Sequence, residues 1–84
     1  MLVNLEKQIE ILRLHPDFNE VVRNIDVGPR TGTLMVQLHN GNWFELEFDQ
    51  TESGQIRVKY WNIPKPDKII LNLLDWLKSK HTLN

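Results

Sequence analysis

The chain has 84 residues, of which 40% are apolar and 25% charged, with a formal net charge of −1 and no cysteine. Such a length holds one small domain over residues 1–84, and the composition is that of a globular chain, not a disordered one. Near-neutral charge supplies no general field for nucleic-acid phosphates, and the absence of cysteine excludes disulfides, thiolate metal sites and thiol nucleophiles.

At the start of the chain, Glu6 and Lys7 interrupt the apolar run that a secretion signal needs. The longest apolar run, Ile69-Ile70-Leu71, falls far short of the ~20 residues that span a bilayer. With no cysteine staples, these features point to a soluble cytoplasmic protein without a membrane partner. Leu2, Leu5, Ile9 and Leu12 lie on one helical stripe, and Glu6, Lys7, Glu10 and Arg13 lie between them. Pro16 disfavours helical backbone at His15 and removes a donor, so the N-terminal helix is expected to stop or break there. Asp17 and Glu20 have capping-box spacing for a second short helix over residues 18–23, presenting Phe18, Val21 and Val22. Residues 24–27 read as a brief strand before the Gly28-Pro29 break.

From Thr33 the apolar period becomes two. Leu34, Val36 and Leu38 alternate with polar neighbours, as do Phe44, Leu46 and Phe48, then Ile56, Val58 and Tyr60. This is the pattern of an antiparallel meander with one buried and one solvated face. A two-residue Asn40-Gly41 turn would set Leu38 against Trp43 and Val36 against Glu45, mixing faces that opposed residues must share. A three-residue loop, Asn40-Gly41-Asn42, instead pairs Leu38 with Phe44, Val36 with Leu46 and Leu34 with Phe48, with Asn42 in the left-handed region. By the same criterion Phe48 meets Ile56, Leu46 meets Val58 and Phe44 meets Tyr60 on the inside. Outside, Glu47 meets Arg57, Glu45 meets Lys59, and His39, Trp43 and Trp61 form one row.

Ile63 to Asp67, with Pro64 and Pro66, reads as an extended connector leading to a helix capped by Asp67 or Lys65. Along Asp67–Lys80, Ile69, Ile70, Leu73, Leu74, Trp76 and Leu77 share a broad apolar face; Lys68, Asn72, Asp75 and Ser79 lie opposite. Leu71 falls off that face, as a lone exposed leucine or as a contact with another chain. The expected fold is α+β. It has an N-terminal helix, whole or broken at Pro16, a three- to four-stranded antiparallel meander, and a C-terminal helix on the same sheet face. Double-stranded-RNA-binding domains and, with extensions, ubiquitin-conjugating and RWD-like domains share this element order, an analogy of architecture alone. The former's basic residues at the second helix reduce here to Lys65 and Lys68. The latter's cysteine is absent, and Tyr60, Pro64 and Pro66 match its tyrosine-proline signature poorly.

No catalytic, metal or cofactor motif emerges. His15, His39 and His81 are widely separated and fit structural or solvated roles, and Ser53 and Ser79 lack a nucleophile-elbow context. Glu45 and Glu47 share a strand face but have basic partners, and Gly28-Pro29-Arg30-Thr31-Gly32 lacks the lysine of a phosphate-binding loop. The favoured candidate site is the outer sheet face, with His39, Trp43, Trp61, Met35 and Lys59, because exposed tryptophans gain by desolvation. The alternative is that the N-terminal segment or the connector covers the tryptophans. The expected function is a non-enzymatic protein-interaction module of adaptor, inhibitor or immunity type. It would self-associate as a homodimer or bind a protein partner through the outer face or the edge strands. The competing function is nucleic-acid binding by a basic patch of Arg30, Arg57, Lys59, Lys65 and Lys68, against which the net charge argues.

Overall fold

The computed structural model describes residues 3–63 and 67–81. Helix α1 spans Leu5–Arg13; Asn4 caps it by accepting a bond from the Lys7 amide at 3.1 Å. Leu12 and Gln8 are buried while Glu6, Lys7, Glu10 and Arg13 stay exposed. The helix ends just before His15-Pro16, and a second, one-turn helix α2 follows at Phe18–Val21. It is shorter than the expected 18–23, because Val22 already has extended backbone and opens strand β1, Val22–Val27. Asp17 makes no side-chain cap. Its amide donates to His15 Nδ1 at 3.0 Å instead, so the proline turn is closed by the histidine ring, not by the expected capping box.

Three further strands follow, β2 (Thr33–Leu38), β3 (Trp43–Gln50) and β4 (Ile56–Trp61), and the sheet order is β1-β2-β3-β4, all antiparallel. Helix α3, Lys68–Ser79, closes the fold. Asp67 is its cap, accepting from the Ile69 amide at 2.9 Å; the alternative cap, Lys65, lies outside the described residues. Ile70, Leu73, Leu74 and Leu77 line one helical stripe and bury against Leu34, Val36, Leu38, Phe44, Leu46, Phe48 and Val58, with Leu12, Val21 and Val22 completing the cluster. Full burial of each such side chain contributes about 1.5–3 kcal/mol before chain entropy is counted. Trp76 is half-buried and meets the edge of His15, ring centroids 5.1 Å apart. Ile69, expected on the buried face, is 44% exposed. It sits in the first helical turn, beside an open hollow shared with Leu38 and His39. Leu71 is half-buried and lines a second hollow with Tyr60 and Trp61.

The alternation of faces is as expected, but both registers differ from the expected ones by two residues. Val36 faces Phe44 and Leu34 faces Leu46; Phe48 faces Val58 and Leu46 faces Tyr60. The cause is the same in both hairpins. Each loop has three residues with glycine last: His39-Asn40-Gly41, closed by Leu38 N–H to Asn42 carbonyl at 2.8 Å, and Glu52-Ser53-Gly54, closed by Thr51 N–H to Gln55 carbonyl at 2.8 Å. Gly41 and Gly54 have φ of 92° and 88°, the left-handed position that follows a type I turn. Asn42 therefore lies in the strand extension, not in the left-handed region.

Candidate functional site

α1, α2 and α3 all pack toward the same side, and no helix among the described residues covers the other face of the sheet. On that outer face the observed register sets Asn24, Gln37 and Trp43 in one row and Asp26, Met35, Glu45 and Trp61 in the next. Thr33, Glu47 and Lys59 follow, then Asp49 and Arg57. The expected row of His39, Trp43 and Trp61 is not formed. Trp61 stands opposite Glu45, so the two indoles are diagonal neighbours, and His39 has left the strand for the hairpin loop. There His39 Nε2 donates to the Asn19 carbonyl at 2.7 Å and ties the loop to α2.

Trp43 is 38% and Trp61 46% exposed, Met35 is half-buried and Lys59 exposed. Asp26, Val27, Met35 and Trp43 line a shallow open depression at one end of the face. Trp61 Nε1 donates to Glu47 Oε1 at 3.1 Å, which satisfies the indole while leaving much of its ring in solvent. The chain neither covers the tryptophans with its N-terminal helices nor stacks them in a row.

The charges are also paired differently from expectation. Glu45 is buried at 8% exposure and binds Arg30 Nη2 at 2.6 Å, not Lys59. Thr33 fixes that arginine's loop by donating to the Arg30 carbonyl at 2.6 Å. The hydrogen bond and charge of Glu45 hold the Arg30 guanidinium above its ordinary pKa. Arg57 grips Asp49, not Glu47, with Nε and Nη2 each 2.9 Å from a carboxylate oxygen. That hydrogen bonding holds the Asp49 carboxyl below its ordinary 3.8, so its contribution to stability is present above 3.8 and is lost as pH falls through the depressed value. Of the proposed basic patch, Arg30 and Arg57 are ion-paired, Lys59 faces Glu47, Lys68 is exposed at the start of α3, and Lys65 lies outside the described residues.

The remaining histidines are held within the fold. His15 accepts from the Asp17 amide, and His81 Nε2 lies 2.6 Å from Oε1 of buried Gln8, with burial lowering the imidazole pKa. Among the described residues no group of His, Cys, Asp or Glu could hold a metal ion, and no helix is long and apolar enough to cross a membrane. Sequence reasoning missed the Arg30–Glu45 clasp, because it depends on a loop reaching across two strands. No protein-family model, curated protein or solved structure matches the chain.

Proposed function

We propose that this chain is a small non-enzymatic protein-interaction module of the cytoplasm that docks a protein, a second copy of itself or another chain, on the outer face of its sheet. One observation carries the reading: every described helix lies on one side of the sheet, while the opposite side keeps Trp43 and Trp61 more than a third exposed. Large aromatic rings held on rigid strands gain most of their binding free energy by desolvation and lose little conformational entropy, which is why tryptophan is enriched at interface centres. The Arg57–Asp49 ion pair supplies part of a polar rim, while Arg30 neutralises Glu45 within the face, between Met35 and Trp61.

Sedimentation of the wild-type chain and of a Trp43→Ala, Trp61→Ala variant tests this, with urea unfolding of both. A self-associating wild type and a monomeric, folded variant would support docking through these rings. A monomeric wild type moves the test to a foreign partner. A variant that loses most of its stability would mean that the rings belong to the core, and the reading would fail.

A further inference from the structure

We propose that the free edge of β4 is a second docking site, one that accepts an extended acidic segment of a partner protein as a fifth strand. The inference rests on the interaction-module reading but uses a different surface, so the two can fail separately. β4 is the last strand in the sheet order, and no backbone hydrogen bond among the described residues reaches Ile56–Trp61 except those to β3. Thr51 and Gln55 form a hydrogen-bonded pair at the hairpin loop. Alternation along an antiparallel ladder then makes Asp49–Arg57, Glu47–Lys59 and Glu45–Trp61 the bonded pairs. The backbone groups of Ile56, Val58 and Tyr60 consequently point away from β3, ready to pair with an added strand.

Charge selects the occupant. Between this edge and the last turns of α3 runs an open groove whose lining, among the described residues, includes Arg57, Lys59 and Lys78 and no carboxylate; Asp49 and Glu47, which face Arg57 and Lys59, lie on β3, away from the edge. The Lys78 ammonium sits 4.9 Å from the centre of the Tyr60 ring, at the inner side of the strand. Opposed residues of an antiparallel pair share a face, so an incoming strand meets Arg57 and Lys59 on one face and Ile56 and Val58 on the other. Acidic residues alternating with apolar ones satisfy both. A second copy of β4 does not. Self-pairing centred on Arg57, Val58 or Lys59 sets Arg57 against itself, Arg57 against Lys59, or Lys59 against itself. Like charges directly opposite are destabilising.

The full chain, labelled for NMR, is titrated with a short synthetic peptide alternating glutamate and valine, and with its lysine–valine counterpart. The expected result is binding of the acidic peptide alone, with new exchange protection at the amides of Ile56, Val58 and Tyr60 and affinity that falls as salt rises. Lys59 is exposed, so Lys59→Glu leaves the fold intact and weakens binding about ten-fold, whereas Trp43→Ala leaves it unchanged. Equal binding of both peptides, or no protection at those three amides, overturns the proposal. Binding that survives Lys59→Glu but is lost in Trp43→Ala also overturns it and assigns the peptide to the outer face. The sedimentation result for the tryptophan variant does not depend on either outcome.

Discussion

Truncating Phe44 to alanine is expected to lower the unfolding free energy by about 3–5 kcal/mol, while truncating its neighbour Trp43 costs about 1 kcal/mol or less. The two residues are adjacent on β3 but face opposite ways. Phe44 is 1% exposed, packed between the sheet and α3, and its removal leaves a cavity that the surrounding leucines fill only in part. Trp43 is 38% exposed and has solvent above it. A domain of this size has about 5–15 kcal/mol of stability in all, so the Phe44 variant approaches unfolding at ordinary temperature. Urea denaturation of both variants reads the difference. Equal losses would show that the outer face is packed like the core, and the docking proposal could not stand.

Replacing Gly32 by alanine is expected to cost about 2–3 kcal/mol, against about 1 kcal/mol for Gly54→Ala. Both glycines have positive φ, 78° and 88°, so both variants carry the left-handed penalty. They differ in what the added methyl meets. At Gly32 it lies 2.8 Å from the Phe48 carbonyl oxygen, a backbone atom of β3 that has little freedom to yield; at Gly54 nothing lies within 4 Å. The Gly32 carbonyl also accepts the Phe48 amide at 2.8 Å, so displacing the loop breaks a ladder bond and loosens the base from which Arg30 reaches Glu45. Thermal unfolding of the two variants side by side tests this. Matching shifts would mean that backbone conformation alone governs both sites.

The layers of the fold were legible because apolar period reports facing directly. Alternation at Leu34, Val36, Leu38, Phe44, Leu46, Phe48 and Val58 placed those residues inward, and all are buried. Register was less legible. A slip of two preserves every facing, so matching apolar with apolar cannot separate neighbouring solutions. The discriminating signal was the glycine: a three-residue loop places it last, in the left-handed position, and Gly41 and Gly54 both obey. Reading them so moves the first loop's centre back by one residue and the second's forward by one, pairs Asp49 with Arg57, and dissolves the tryptophan row. The candidate face survived because it depends on facing; the arrangement within it did not, because that depends on register. β1 was partly hidden, since only Ile25 and Val27 alternate clearly and Val22 enters through an irregular pairing at Asn24.

Because each strand pairs only with its neighbour in the chain, the meander can assemble by closing short loops in turn, at small entropic cost. The contact between α1 and the chain beyond α3 is of another kind: Gln8 and His81 are 73 residues apart, and α1, with 9 residues, is too short to persist undocked. Folding should therefore proceed from the middle outward, with the two ends of the described chain meeting last. Pulsed hydrogen exchange during refolding is expected to protect β2 and β3 before α1. Simultaneous protection would instead make sheet and helices a single cooperative unit from the start.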